Sequence, residues 1–396
     1  MKQDYDKLQP ETVLIFNGGG SLGAYECGVY KALIKHDLKF DIIGGTSIGA
    51  VNAAIVATAG AGSKEKDNRI NSAKVLEHFW LSMLDETTPS FLPYDLRASM
   101  AAMYSLIYGN PKAFVPIWFT TGGLPLYNLF NSPYLYTTTK LENALTKYVD
   151  FAKLKRSNRS TSNSNSTKDD LASQGTITGN NSIIPRLILA CTDIRTAQSV
   201  IFDTNKVDIT ADDLSACTAY PFYGIEWKKI NSRYLWDGSL LTNTPIRDVI
   251  DASPKGEKRI YISDIFPRKQ EKLPQNMIET WHRARDIVFL DKATNRVMEN
   301  SNLIKNYIAI LEEMYDILGN SKLDEKAKRR VKMLEPKYND LINNRGGIID
   351  KLVIIRRKES PGRHHIFEDA DFSSESIKEL IKQGEEDAKN AIANQS

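Results

Sequence analysis

An apolar run, Phe40, Ile42 and Ile43, feeds directly into Gly44-Gly45-Thr46-Ser47-Ile48-Gly49, and small residues from Ala50 to Thr58 follow without a break. That text specifies a strand, a tight turn and a helix. A serine at the apex of such a turn crowds the Cβ atoms around it, so glycines are needed two residues to either side, here Gly45 and Gly49. The turn also lifts the hydroxyl clear of the sheet, which makes Ser47 a candidate nucleophile.

A second unit of the same kind precedes it. Val13-Leu14-Ile15-Phe16 reads as a strand covered on both faces, and glycines end it. Leu22, Tyr25, Val29 and Leu33 then fall on one stripe of a helix ending near His36. Strand, glycine turn, helix, strand, serine turn, helix predicts an α/β fold with a mostly parallel sheet sandwiched by helices. Further strands are expected at Arg186 to Ala190, Ser199 to Phe202 and Arg259 to Ile262.

After Pro274 the period turns helical: Met277, Trp281, Ala284 and Val288 recur every three or four residues, as do Ile304, Ile308, Leu311 and Leu318 with one gap. A charged helix follows from about Leu323 to Asn343. Asp350 to Ile355 reads as one late strand, and Ser373 or Ser374 as the N-cap of a final helix. The expected organisation is a catalytic α/β domain over 1–270 and a helical C-terminal region over 271–396, packed on the same domain. Residues 155–183, rich in Ser, Asn, Thr and Gly, read as a flexible surface insertion.

With 396 residues, 41% hydrophobic and 26% charged, the chain can bury a large core and is not disordered as a whole. A formal charge of +3 is too weak to argue for nucleic acid, though a local basic face could favour anionic lipid. Cys27, Cys191 and Cys217 are odd in number and lack a Cys-x-x-Cys, so neither a disulfide framework nor a zinc site is indicated. A polar start without a secretory pattern adds to an expectation of a cytoplasmic protein, peripheral to a membrane at most. Met100 to Phe119 is broken by Asn110, Pro111, Lys112 and Pro116, which argues against a spanning helix. The aromatic, proline-rich text from Met83 to Tyr136 fits either a cap over an apolar pocket or ordinary core helices and loops.

Gly18-Gly19-Gly20-Ser21-Leu22-Gly23 matches Gly-x-Gly-x-x-Gly literally, which raises a dinucleotide-binding reading. That reading needs an acid closing the second strand. Asp41 opens that run instead, and Gly44 to Ser47 occupy the place of the ribose ligand. Glycines at a helix start can otherwise aim N–H groups at an anion formed in the transition state, making Gly18, Gly19 and Gly20 candidates for an oxyanion hole, with Gly23 closing the loop. Ser47 also needs a base. The five histidines, His36, His78, His282, His364 and His365, have no catalytic flanks. Tyr234-Leu235-Trp236-Asp237-Gly238 places an acid at the end of a strand, where open α/β sheets build sites, although Asp-Gly is also ordinary turn text.

The glycine loop, the Gly-x-Ser-x-Gly and the Asp237-Gly238 pair some 190 positions after the serine together resemble the patatin-like phospholipase family. The likeness includes Ala190 to Asp193, Ser215 to Pro221 and Asp237 to Pro245, covers about residues 11 to 265, and extends to a bacterial-type branch with an extra C-terminal region. It implies a Ser47–Asp237 dyad hydrolysing acyl esters of lipids, with Gly18, Gly19 and Gly20 as oxyanion hole, Gly23, Gly45, Gly49 and Gly238 as supports, and no metal or organic cofactor. The implied partners are a lipid or phospholipid substrate and a membrane surface. Two positions depart from the family: Leu22 stands where many members carry Arg or Lys, and Ser239 replaces the Gly or Ala that usually follows Asp-Gly.

Three readings compete: a lipid acyl hydrolase, a lipid-binding or regulatory protein that keeps the pocket without turnover, and a nucleotide-binding oxidoreductase on the first glycine loop. His-Glu-x-x-His, a P-loop and a calcium loop are missing, despite Glu368, Asp369 and Asp371. The basic cluster Lys326 to Lys332 reads as a solvated helix face.

Overall fold

In the computed structural model the described residues are 9–84, 94–118, 130–155, 176–177, 183–254, 256–270, 273–343, 347–358 and 368–394. Strand β1 (Glu11–Phe16) runs into a 3-10 turn (Gly20–Leu22) and helix α1 (Gly23–Lys35). Strand β2 (Ile42–Thr46) gives way at once to α2 (Ile48–Ala59), and α3 (Lys66–Ser82) follows. Val13, Leu14, Ile15 and Phe16 are fully buried, as a strand covered on both faces requires.

After α4 (Tyr94–Tyr108) and α5 (Thr139–Tyr148), the chain returns to the sheet with β3 (Arg186–Asp193) and β4 (Ser199–Asp203). Then come α6 (Ala211–Cys217), β5 (Lys228–Ile230), β6 (Arg233–Asp237), α7 (Ile246–Ala252) and β7 (Lys258–Asp264). The C-terminal third supplies α8 (Met277–Phe289), α9 (Thr294–Asn320), α10 (Glu325–Asn343), β8 (Ile349–Arg356) and α11 (Ser374–Ala393).

The sheet order is β8-β7-β1-β2-β3-β6-β5, with β4 also paired to β3. Strands β8, β7, β1, β2 and β3 are mutually parallel; β4 and β6 each pair antiparallel with β3, and β5 pairs antiparallel with β6. The chain leaves β1 toward β2 on one side and later fills the other side with β7. The carboxyl end of β1, where Gly18 to Gly20 stand, is therefore a topological switch point, the place where open α/β sheets bind ligands.

Helix α1 is buried almost all round, beyond the single stripe its sequence suggests. The reason is α11, which packs along its outer side. A Cβ on Gly28 would strike the α11 backbone at Ile381, and one on Gly384 would strike the α1 backbone at Tyr25, so the two glycines set how closely the helices cross. Ser373 stands at the N-cap of α11, but its hydroxyl makes no capping bond; its N–H instead donates to Asp371 Oδ1 at 2.9 Å.

Of the aromatic text at 83–136, residues 85–93 and 119–129 lie outside the described residues, as does most of the 155–183 insertion. Met83, Ser105, Phe114 and Tyr136 line a cavity, whereas Met100, Met103, Tyr104 and Ile107 on α4 are exposed. The stripe Met277, Trp281, Ala284, Val288 does form a helix, but faces solvent, because the inward side of α8 is taken by His282, Arg285, Asp286 and Phe289. Among the described residues no helix is long and apolar enough to cross a membrane.

Candidate active site

Ser47 lies between β2 and α2 with φ 54° and ψ −130°, a conformation that L-residues other than glycine adopt only under strain. The flanking glycines explain how the turn closes. A Cβ on Gly45 would sit 2.5 Å from the Gly49 carbonyl oxygen, and one on Gly49 would sit 2.6 Å from the carbonyl oxygens of Phe16 and Asn17. Any side chain at either place would push the elbow open.

Asp237 reaches the same spot through strand register. Thr46 pairs with Ala190 along one edge of β3, and β4 occupies the opposite edge over Ile188 to Thr192. Because β6 pairs with Cys191, Thr192 and Asp193, it continues the edge that β2 vacates at its elbow. Asp237 faces Cys191, one rung beyond the rung that holds Thr46, so Ser47 and Asp237 meet end to end. A Cβ on Gly238 would strike the Ala190 carbonyl, which is why glycine follows the acid.

The Asp237 side chain is fully buried. Its N–H donates to the Ala219 carbonyl at 3.0 Å, and its carbonyl accepts the Thr192 hydroxyl at 3.0 Å. Oδ1 accepts the Ser239 N–H at 2.8 Å, while Oδ2 has no formed hydrogen bond. Burial pushes the carboxyl pKa up to about 6, against the opposing pull of the Ser47 hydroxyl and the Ser239 N–H and hydroxyl, which favour the charged form. The resting Ser47–Asp237 contact is loose, as is common before a substrate tightens such a pair. Part of the dry environment is a thiol pair, Cys191 and Cys217, buried with sulfurs 2.9 Å apart.

The glycine loop packs against the serine. A Cβ on Gly18 would lie 2.8 Å from Ser47 Cβ and 2.7 Å from Asn243 Oδ1. One on Gly23 would lie 2.8 Å from Ile48 Cγ2 and from Trp80 Cζ2, and one on Gly20, whose φ is +56°, would strike the Asp369 carbonyl. Of the three candidate oxyanion donors, Gly18 already donates its N–H to Asn243 Oδ1 at 3.0 Å. Among the described residues no acceptor is seated on the N–H of Gly19 or Gly20. Both glycines line the cavity with Ser47.

Two polar assemblies that sequence reasoning missed hold this loop. Behind it, buried Glu26 accepts the Asn17 N–H at 2.6 Å and Asn52 Nδ2 at 2.9 Å, and Asn52 Oδ1 accepts Trp80 Nε1 at 3.1 Å. Burial raises the Glu26 pKa well above the usual carboxylate range. Over the loop, the Ser21 hydroxyl donates to the Glu368 carbonyl at 2.8 Å, and Arg357 grips the Glu368 carboxylate with contacts of 3.0 and 2.7 Å. Arg285 pairs with Asp369 and, at 2.9 Å, with Asp286, and the Tyr223 hydroxyl donates to Asp369. A visible signal existed for Glu26, the sole acid of α1, set among small and apolar residues. Nothing local marked Glu368 or Asp369.

The loop, Ser47 and Ser239 form the polar side of a cavity of about 130 Å³ whose other walls include Phe79, Trp80, Met83, Phe114, Leu141, Phe266 and Phe289. Asp369, Ala370 and Phe372 bring the C-terminal segment into the same wall. Among the described residues no histidine lines it. His36 is exposed at the end of α1, His78 contacts the Tyr148 hydroxyl at 3.2 Å, and His282 lies 3.7 Å from Glu368 and 3.8 Å from Asp286; His364 and His365 are outside the described residues.

A sequence model of the family described as patatin-like phospholipase matches residues 14–250. Curated relatives match over short segments. A triacylglycerol lipase, SDP1L, of Arabidopsis thaliana is 49% identical over 47 residues, 12% of this chain and 6% of the relative. The lysophospholipase NTE1 of Debaryomyces hansenii is 38% identical over 91 residues, 21% of this chain and 5% of the relative. Among solved structures, VipD from Legionella pneumophila superposes with a TM-score of 0.38 at 13% identity, covering 97% of this chain and 67% of that one.

Proposed function

The chain belongs to the patatin-like phospholipase family, and we propose that it is a lipid acyl hydrolase using Ser47 as nucleophile and Asp237 as its base. The observation that carries this reading is the register of β3, which puts Asp237 one rung beyond Thr46, the residue before Ser47, with Ser47 on the wall of an apolar cavity. A hydrocarbon-lined cleft with few polar groups at one wall fits an acyl chain whose ester ends at the serine.

In the acylation step Ser47 Oγ attacks the ester carbonyl carbon and its proton passes to Asp237. The carbonyl π electrons move to oxygen, and the N–H groups of Gly19 and Gly20 receive that charge. One such donor is worth on the order of 3 to 4 kcal/mol in the transition state. Collapse of the adduct expels the alcohol, which takes the proton from Asp237 and leaves an acyl-serine. Water then attacks the acyl carbon, Asp237 takes its proton, and collapse returns that proton to Ser47 Oγ as the fatty acid departs. A carboxylate is a weak base for a hydroxyl, so positioning and a raised pKa have to compensate. Burial of Asp237 supplies the second of these.

Fluorophosphonate labelling tests the reading, with mass-spectrometric mapping of wild type, Ser47→Ala and Asp237→Asn, beside hydrolysis of an ester and phospholipid chain-length series. Labelling at Ser47 and loss of hydrolysis in both variants are expected. A folded wild type that is neither labelled nor active would sink the hydrolase and favour a lipid-binding protein on the same fold.

A further inference from the structure

Helix α8 is amphipathic in reverse. Met277, Trp281 and Val288 are 66%, 69% and 62% exposed, and Leu273 just before the helix is 82% exposed. The opposite side of the helix carries Arg285 and Asp286 into the charged assembly over the glycine loop. A side chain as large and apolar as Trp281 in solvent, in line with others at helical spacing, marks a contact surface.

This face borders the cavity. Phe289 ends α8, lines the cavity, and packs against Tyr220 with ring centroids 6.0 Å apart. Tyr220 and Tyr223 also line it, and Phe222 between them is 77% exposed. Ser239 lines it as well, and Leu241 two residues on is 47% exposed. Three separate wall segments therefore each turn an apolar side chain outward. The charge around this face is mixed: Lys292 just past α8 is exposed and Asp286 and Asp291 are buried, while Glu279 in the first turn stays partly exposed.

We propose that the outer face of α8, with Phe222 and Leu241, seats the protein on a lipid surface so that the cavity draws its substrate directly from the layer. The inference rests on the lipid-hydrolase reading. An apolar face that holds a tryptophan and adjoins an apolar cavity matches the boundary between acyl chains and headgroups. A phospholipid could then enter the cavity without exposing its chains to water.

The test compares wild type with Trp281→Glu/Val288→Glu, and with the milder Trp281→Ser/Val288→Ser should the first not fold. Co-sedimentation with phosphatidylcholine and phosphatidylglycerol vesicles is measured beside turnover of a water-soluble short-chain ester and sedimentation velocity. Vesicle binding should fall about tenfold or more in the glutamate variant, with soluble-ester turnover unchanged. Vesicle binding equal to wild type would overturn the proposal, and so would a wild type that dimerises through this face and ignores vesicles. Vesicle binding lost in the variant, from a wild type that cleaves no ester, would keep the docking face and sink the hydrolase alone.

Discussion

Gly18 donates its N–H to the side chain of Asn243, 225 positions later, at 3.0 Å. The same side chain donates through Nδ2 to the Phe289 carbonyl at 3.2 Å, so one amide ties the glycine loop to the end of α8. Loss of that tether frees the loop that carries Gly19 and Gly20, the donors proposed for the oxyanion. Asn243→Ala is expected to lower kcat about a hundredfold with little change in KM, because displacement of donors by an ångström has that scale of effect. Steady-state kinetics on one soluble ester decides it; an unchanged kcat would leave Asn243 with a purely structural role.

In the proposed dyad Asp237 has to be ionised to accept the Ser47 proton, and burial pushes its pKa up to about 6. Activity should therefore be present above that pH and fall as pH drops through it, with kcat/KM decreasing tenfold per unit on the acid side. A pH profile on a substrate without its own titration gives the answer. A midpoint near the ordinary aspartate value would mean that the group is solvated during turnover.

The same shift has a consequence for stability. A carboxyl raised from 3.8 to about 6 on folding favours the native state most when protonated. That contribution is fully present below the unfolded value and is lost as pH rises through the folded one, so at neutral pH the buried charge weakens the fold. At 1.36 kcal/mol per unit the effect is on the order of 3 kcal/mol. Asp237→Asn should raise the melting temperature at pH 8 and change it little at pH 4 while abolishing turnover. Thermal unfolding at the two pH values checks the sign.

Ser47 pays for its exposure in backbone strain, with φ at 54°. Glycine tolerates that conformation and alanine does not, so Ser47→Gly should be more stable than Ser47→Ala by about 1 kcal/mol, although both remove the hydroxyl. The usual order, alanine above glycine, would indicate that the elbow relaxes once the hydroxyl is gone. Chemical denaturation of the two variants distinguishes these.

The elbow and the α/β alternation were legible because both leave a mark in the local text: Gly45 is dictated by a collision with the Gly49 carbonyl four residues on, Gly49 falls at the matching place in the pattern although what it avoids is the end of β1, and Val13 to Phe16 are apolar because both faces are buried. The meeting of Ser47 with Asp237 was legible only through family resemblance, since the two are joined by β3 register and not by any spacing along the chain. What Asn243, Glu368 and Asp369 do was not legible. Their roles come from long-range packing, which brings Glu368 to Ser21 across 347 positions. The helical period at 277–288 gave the element but could not tell which side faces in, because the buried side of α8 is ionic.

Arg357 and Glu368 form a buried two-point ion pair that holds the C-terminal turn on the glycine loop, where the Ser21 hydroxyl meets the Glu368 carbonyl. Burial alone would raise the Glu368 pKa, yet Arg357, with His282 and Arg285, keeps it well below the usual range. Its stabilising contribution is therefore present above the unfolded value and lost as pH falls through the folded one. Arg357→Met leaves that carboxylate buried beside weaker partners and should cost about 3 to 5 kcal/mol. The double change Arg357→Met/Glu368→Leu removes both charges and should recover most of the stability, since a hydrophobic pair is often as good as a buried ionic one. Recovery of stability with kcat restored would show that the backbone contact from Ser21 is enough to hold the loop. Recovery of stability with kcat still depressed would show that the ion pair itself positions Gly19 and Gly20, and urea titrations run beside ester kinetics on the three proteins separate the two outcomes.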